Sequence, residues 1–256
     1  MPYFCHQGYR YHYREQGEGP LLLILPGNTA SSAWHTGDIQ YFAGQGYRAV
    51  SLDYLGTGLS ERLPQPWPLD WFQRNAADCV ALLDELGVEQ TAVIGTSGGA
   101  IVALWLAILF PERVRGIVAD SEGYFYRTGV VAEQVADRAQ CTPGQVSFWS
   151  KAHGEDWQAV VNADTALLLA IEEASRPNGG WDIYAGRLAE IRCPVMFSCA
   201  LSDNLIPDVG AQMLEMAQKV PGSWFFCVNQ GFHPLMWSQP DSFRAAACAF
   251  LRKLRK

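Results

Sequence analysis

Short apolar runs alternate along the chain with longer segments in which apolar residues recur at helical spacing. The runs cover residues 21–25, 48–52, 91–95, 114–119, 194–198 and 224–228. Nearly continuous apolar runs are typical of parallel strands that are covered on both faces. Residues 69–86 have the period of an amphipathic helix, and Gly87 marks its end. We therefore predict an α/β fold: a doubly wound, mostly parallel sheet with right-handed crossovers.

One region interrupts this alternation. Residues 122–190 contain helical segments and many aromatic residues but no convincing strand. An insertion of this length between two core strands is more than an ordinary loop. We expect residues 122–190 to form a helical cap over the edge where the strands end. The α/β core would then comprise residues 1–121 and 191–256.

The composition excludes several classes of protein. The 256 residues are 49% hydrophobic and 18% charged, which is enough to build a sizeable core and too apolar for a disordered chain. A net charge of −7 argues against nucleic acid as the main partner. No apolar run reaches the roughly 18–20 residues of a membrane span, and no apolar segment of a secretory signal is seen at the N-terminus. These features favour a soluble, cytoplasmic protein without a membrane partner.

The cysteines and histidines predict no metal centre. The seven cysteines are scattered and form no C-x-x-C pair, and the five histidines add no spacing typical of a zinc site. Most of the cysteines are expected to be buried as small hydrophobic residues. We therefore expect neither a metal nor a cofactor.

The sharpest chemical signal is the G-x-S-x-G pattern formed by Gly95, Ser97 and Gly99. An apolar run precedes it and a helix-forming run follows it, as expected of a nucleophile elbow that exposes the serine hydroxyl above the sheet. A dinucleotide-binding turn would need G-x-G-x-x-G, but Ser97 and Ala100 occupy the second and third glycine positions. Ser97 is therefore the candidate nucleophile.

A nucleophilic serine needs a base, and the base needs an acid that orients it. In the order expected for this elbow, the acid and then the histidine follow the serine. His233 follows the last strand run and is the only histidine after residue 153. Asp203 follows the 194–198 run and is the favoured acid, with Asp120 as the alternative; Asp208 better fits a helix-capping role.

Together with Ser97, Asp203 and His233, the D-x-x-G-x-G-x-S turn from Asp53 to Ser60 resembles the α/β-hydrolase superfamily over nearly the whole chain. The chain is most similar to its cap-bearing esterase branch, which includes biphenyl-hydrolase-like and valacyclovir-hydrolase-like enzymes. The family's first oxyanion segment, usually His-Gly-x, corresponds here to Pro26-Gly27-Asn28. The resemblance implies that the backbone N–H groups of Asn28 and Gly98 form the oxyanion hole, with Thr29 as the alternative to Asn28.

The resemblance and the candidate residues together predict a serine esterase that acts on a small molecule. We expect an apolar ester of small to medium size, or a lactone or thioester, to be cleaved through an acyl-enzyme. The candidate pocket residues are Trp34, Tyr124, Trp149, Trp157, Leu205 and Met236. The alternatives are a C–C bond hydrolase of a diketone-type substrate, a cofactor-free peroxidase-like enzyme and a non-catalytic ligand-binding protein of the same fold.

Overall fold

Within residues 2–254, which the computed structural model describes, an eight-stranded sheet forms the centre of the molecule. Residues 1, 255 and 256 of the predicted core lie outside the described residues. In chain order the strands are β1 (Tyr3–His6), β2 (Tyr9–Gln16), β3 (Leu21–Leu25), β4 (Arg48–Leu52), β5 (Thr91–Thr96), β6 (Val114–Asp120), β7 (Phe125–Arg127), β8 (Gly180–Asp182), β9 (Val195–Ala200) and β10 (Trp224–Val228). The sheet has the order β1-β2-β4-β3-β5-β6-β9-β10, and β7 and β8 pair separately.

All six predicted strands are present, each within two residues of its expected bounds. The neighbouring pairs from β4 to β10 are parallel, whereas β1 and β2 form an antiparallel extension at one edge. The sequence analysis missed this extension because β1 is short and β2 carries many polar residues. Gln7 and Gly8 join the two strands and both have positive φ (49° and 85°), as in the tight turns that match the twist of a hairpin.

Helices cover both faces of the sheet, so the doubly wound fold is confirmed. In chain order they are α1 (Thr36–Gly44), α2 (Trp71–Glu85), α3 (Gly98–Leu109), α4 (Val130–Val135), α5 (Pro143–His153), α6 (Trp157–Ser175), α7 (Val209–Lys219), α8 (Leu235–Ser238) and α9 (Pro240–Lys253). Alternate strand residues enter opposite cores: Leu23 packs with α2 and α3, and Leu22 packs with α1 and α9. No helix of the described residues is long and apolar enough to cross a bilayer.

The stretch between β6 and β9 is referred to below as the inserted segment (residues 122–190). It contains α4, α5 and α6, and it also contains the antiparallel pair of β7 and β8. The expectation of a segment without strands is therefore wrong. Strands of three residues are too short to show an alternating pattern, and these two form only because the two ends of the segment meet. Its separation from the core as a cap stays a prediction.

The turn from Asp53 to Ser60 stabilises the core beneath the inserted segment. Asp53 Oδ2 lies 2.7 Å from Nδ1 of the buried His12 and accepts the N–H of Leu59 at 2.9 Å. A Cβ on Gly58 would overlap the Asp53 carboxylate, so only glycine fits there. The Gly58 N–H donates to His153 Nδ1 at 2.9 Å, and this bond joins the turn to the end of α5.

Candidate active site

Ser97 lies at a sharp turn between β5 and α3. Its φ of 53° and ψ of −131° are unusual for a residue with a side chain and indicate local strain. A Cβ on Gly95 would overlap the Gly99 carbonyl oxygen, and a Cβ on Gly99 would overlap that of Leu25. The glycines on both sides of the serine therefore allow α3 to approach both β5 and β3 closely. The Ser97 N–H donates to the Asp120 carbonyl at 2.8 Å, which ties the turn to β6.

Asp203 and His233 form a hydrogen-bonded pair on the loops that follow β9 and β10. His233 Nδ1 lies 2.9 Å from Asp203 Oδ2. The other carboxylate oxygen, Oδ1, accepts the N–H groups of Leu205 at 2.8 Å and Ile206 at 3.0 Å. Burial raises the pKa of the Asp203 carboxyl, but the hydrogen bond and charge of His233 and these N–H donors outweigh burial and lower its pKa overall. Asp203 is therefore held as a carboxylate beside the imidazole.

Asp120, the alternative acid, has different partners. Its oxygens accept hydrogen bonds from Ser198 Oγ at 2.8 Å, from the Met236 N–H at 3.0 Å and from Thr96 Oγ1 at 3.2 Å. Burial raises the pKa of Asp120 to about 6. The side chain thus joins β5 and β9 to α8, which follows His233, and its hydrogen bonds do not include the imidazole.

Ser97 and His233 line the same cavity, whose volume is about 320 Å³. Ser97 Oγ has no hydrogen-bond partner among the described residues. Hydrogen bonds between a nucleophile and its base often tighten only when a substrate is bound. The arrangement leaves the hydroxyl accessible to a ligand in the cavity.

Two backbone N–H groups beside Ser97 are free to bind an oxyanion. Among the described residues, neither the N–H of Asn28 nor that of Gly98 has an acceptor. Asn28 N lies 3.2 Å from the position that a Cβ on Gly98 would take, so the two groups are close together. Thr29 lines the cavity too, and its carbonyl oxygen lies 3.0 Å from His153 Nε2. The Asn28 side chain donates from Nδ2 to Asp164 Oδ1 at 2.6 Å, which fixes the loop against α6.

A second, smaller cavity of about 50 Å³ lies on the inner side of Ser97. Five residues line both cavities, namely Asn28, Ser97, Gln134, Arg138 and Leu205. Glu122 also lines the inner cavity. Burial raises the pKa of its carboxyl to about 7, although hydrogen bonds from Tyr126 and the Gly123 N–H act to lower it. The nucleophile therefore lies where an outer and an inner space meet.

Only two of the six expected pocket residues, Trp149 and Leu205, line these cavities. Trp34 stacks on Phe148 at 4.6 Å between ring centroids, and Trp157 stacks on Trp149 at 5.4 Å, so both lie behind residues of the wall. Tyr124 lies against α7, where its N–H donates to Gln212 Oε1 at 3.0 Å. Met236 is buried in the core on the far face of the sheet. These four residues do not line the two cavities, because ring content does not reveal which side of a helix or loop faces a cavity, and their contact with a substrate stays a prediction.

Comparison with known proteins agrees with this architecture. A family model for the alpha/beta hydrolase fold matches residues 20–139. The serine hydrolase BPHL of Mus musculus is 26% identical over 254 residues, which cover 96% of this chain and 84% of that protein. The chain has the α/β-hydrolase fold. The expected fold, the hydrolase class and the similarity to biphenyl-hydrolase-like enzymes are confirmed.

One further relative and one solved structure of the same fold are also similar to this chain. The 2-hydroxy-6-oxo-6-phenylhexa-2,4-dienoate hydrolase of Comamonas testosteroni is 24% identical, with 94% of this chain and 91% of that protein covered. The crystal structure of the enol-lactonase from Burkholderia xenovorans LB400 shares the fold with a TM-score of 0.74. It is 17% identical and covers 98% of this chain and 100% of that one.

Several polar residues of the site were not anticipated from the sequence of this α/β hydrolase. Gln134, Asp137, Arg138 and Gln145 reach the outer cavity from the inserted segment, and Asn204 reaches it from the loop after β9. Their positions carry no local motif, because a polar residue that faces the cavity and one that faces solvent look alike in a sequence. Among the described residues, no group of three or more His, Cys, Asp or Glu side chains could hold a metal ion.

Proposed function

We propose that this α/β hydrolase cleaves carboxylic esters, including cyclic esters and thioesters, by transferring the acyl group to Ser97 and then to water. The observation that carries this proposal is the shared cavity of Ser97 and His233 beside two unpaired N–H groups, with His233 bonded to Asp203 at 2.9 Å. A nucleophile, a base with its orienting acid and an oxyanion site are the parts that acyl transfer needs.

In the first half of the reaction, Ser97 Oγ attacks the ester carbonyl carbon and His233 Nε2 accepts the hydroxyl proton. The carbonyl oxygen becomes an oxyanion, which accepts hydrogen bonds from the N–H groups of Asn28 and Gly98. The Asp203 carboxylate stabilises the imidazolium that forms. When the tetrahedral intermediate collapses, the bond to the alcohol oxygen breaks, and His233 returns the proton to the departing alcohol.

In the second half, His233 removes a proton from water, and the resulting hydroxide attacks the acyl-enzyme carbonyl. Collapse of this second intermediate breaks the bond to Ser97 Oγ, which regains its proton from His233 and releases the carboxylic acid. Asn28 can serve both steps without moving, because Asp164 fixes its side chain.

The test is hydrolysis of p-nitrophenyl butyrate by the wild-type protein and by Ser97→Ala and His233→Ala. We expect each variant to lower kcat by roughly 10⁴–10⁶-fold and the double variant to be no worse than either one, because the two residues act as a unit. Ser242→Ala, at an exposed position of α9, is the matched control and should retain full activity. A fluorophosphonate probe should label Ser97 in the wild-type protein, as read by peptide mass spectrometry. Hydrolysis that survives in Ser97→Ala would refute the proposal.

A C–C bond hydrolase acting on a diketone-type substrate is the second candidate. The observation that favours it is the polar lining of the cavity by Gln134, Arg138 and Asn204, since such a substrate needs several polar contacts. A panel of esters, lactones and vinylogous diketones distinguishes the two. A diketone with a kcat/KM at least tenfold above that of the best ester would identify C–C cleavage as the main activity.

A further inference from the structure

Arg138 is the one arginine or lysine among the described residues that line the two cavities. It lies in the helical turn of residues Ala136–Gln140, between α4 and α5, and it lines both the outer and the inner cavity together with Ser97. Arg138 and the candidate nucleophile therefore border the same two spaces. The mechanism proposed above assigns Arg138 no task.

Only one nitrogen of the Arg138 guanidinium is hydrogen-bonded to other described residues. Its Nη1 donates to Asp164 Oδ2 at 2.7 Å and to Thr165 Oγ1 at 2.9 Å. Within residues 2–254, its Nε and Nη2 groups have no acceptor. These two nitrogens form one edge of the planar fork, and parallel N–H groups on such an edge match the two oxygens of a carboxylate. The unused edge is therefore a site for a bidentate anion.

Asp164 explains how this cation is held in place. It is 2% exposed and accepts hydrogen bonds from both Asn28 Nδ2 and Arg138 Nη1. It therefore connects the loop that carries Asn28 to the arginine. With Nη1 anchored in this way, little side-chain freedom remains to be lost when a ligand binds. The side chain of Arg138 is 16% exposed. N–H groups withdrawn from water to this extent bind a ligand anion more strongly than fully solvated ones do.

The other charges near the cavities do not prevent a carboxylate from binding. Asp137 is exposed, and solvent screens its charge. Glu122 is buried in the inner cavity with its pKa raised to about 7, so much of it is protonated near neutral pH. Asp203 is paired with His233.

We propose that Arg138 binds a carboxylate of the substrate, so that the preferred esters are those of dicarboxylic acids or of similar acids that carry a second, free carboxylate. This proposal rests on the proposed ester hydrolysis at Ser97. It differs from the sequence-based expectation of a purely apolar ester, because Arg138 would distinguish an anionic substrate from its neutral analogue of equal length.

The test compares p-nitrophenyl hydrogen glutarate with p-nitrophenyl valerate, which have the same number of acyl carbons, after subtraction of the uncatalysed rates. We expect the wild-type kcat/KM to be at least tenfold higher for the glutarate ester. In Arg138→Gln this ratio should fall to about two or less, mainly through a higher KM for the glutarate ester. Arg138→Lys, which keeps the charge but not the fork, should give an intermediate ratio. Arg176→Gln, an exposed arginine of the same segment, should keep the wild-type ratio.

A binding measurement separates this inference from the proposed function. Calorimetry on Ser97→Ala should show that monomethyl glutarate binds at least tenfold more tightly than dimethyl glutarate, and that adding Arg138→Gln abolishes the difference. If this holds but the wild-type protein hydrolyses no ester, the proposed function fails and the carboxylate site stands. If the wild-type protein hydrolyses both esters with a ratio near one, the carboxylate site is refuted and ester hydrolysis stands. The wild-type ratio decides this even if Arg138→Gln does not fold.

Discussion

The side chain of Asn28 occupies the space into which a Cβ on Gly98 would project. A Cβ placed on Gly98 would overlap Asn28 Oδ1 and lie 2.8 Å from its Cγ. Because Asp164 holds the amide of Asn28 at 2.6 Å, that side chain cannot move away without losing its hydrogen bond. The residue after the candidate nucleophile must therefore be glycine in this protein, and the requirement comes from a contact across the proposed oxyanion site.

Gly98→Ala should displace Asn28 and misalign the two N–H donors. We expect kcat/KM for p-nitrophenyl butyrate to fall by roughly 10²–10³-fold, the usual effect of losing one oxyanion donor. Gly37→Ala is the control, since a Cβ at this helical position meets nothing within 4 Å and should leave the activity unchanged. An activity of Gly98→Ala within threefold of the wild-type value would show that Asn28 does not serve the oxyanion.

Asp203→Asn and Asp120→Asn should have different effects. Asp203→Asn removes the charge beside the imidazole, and we expect kcat to fall by roughly 10³–10⁴-fold with little change in Tm. Asp120→Asn leaves three buried donors with an imperfect acceptor, so it should cost roughly 1–3 kcal/mol of stability and lower kcat less than tenfold. Kinetics and thermal unfolding of both variants check this, and the opposite pattern would make Asp120 the acid.

The size of the cavities predicts a preference for short acyl chains. The outer and inner cavities have volumes of about 320 Å³ and 50 Å³. Each methylene buried in them contributes roughly 0.8 kcal/mol, so kcat/KM for neutral p-nitrophenyl esters should rise from acetate to butyrate or hexanoate. It should then fall for longer chains that exceed the space. A series from C2 to C16 measures this, and a flat profile or a maximum at C12 or beyond contradicts it.

Glu122 should make the protein less stable as pH rises from about 5 to about 8. Its pKa is raised to about 7 in the folded chain, mainly by burial, from an ordinary value of 4.5. The stabilising effect of its protonation is complete below about pH 4.5 and is lost as pH rises through 7. Between pH 5 and pH 8 the free energy of unfolding should therefore fall by roughly 2 kcal/mol less in Glu122→Gln than in the wild-type protein. Denaturant unfolding at both pH values tests this, and the exposed Glu133→Gln should show no such difference.

His153 should have the opposite effect in acid. Burial lowers its pKa to about 4, and its neutral ring accepts the Gly58 N–H and bonds the Thr29 carbonyl. Because the unfolded chain protonates this histidine below about pH 6.5, it makes stability fall as pH drops from 6.5 towards 4. As pH drops from 7 to 5, the free energy of unfolding should fall by about 2 kcal/mol less in His153→Gln than in the wild-type protein. Equal losses in the two proteins would show that the ring is protonated when folded.

Local patterns in the sequence determined the fold class and the main chemical candidates. Buried parallel strands must be apolar on both faces, so runs such as 21–25 and 48–52 predicted β3 and β4 with the bounds that the structure has. The elbow was predictable for the same kind of reason, because close packing of α3 requires glycine at Gly95 against β5 and at Gly99 against β3. His233 and Asp203 were predictable from their places after strand runs, because the carboxyl ends of parallel strands lie at one edge of a sheet.

Only the tertiary structure decided what lines the cavity and how the site is held. Asn28 and Asp164 are 136 positions apart and meet only because of how the inserted segment folds. No pattern in the sequence of that segment predicts this contact. The same fold places Arg138 in the lining of both cavities with Ser97 and leaves Trp34 and Trp157 behind other rings. The direction of a side chain on a short helix depends on how that helix packs, and packing is a property of distant contacts that no local pattern of polar and apolar residues encodes.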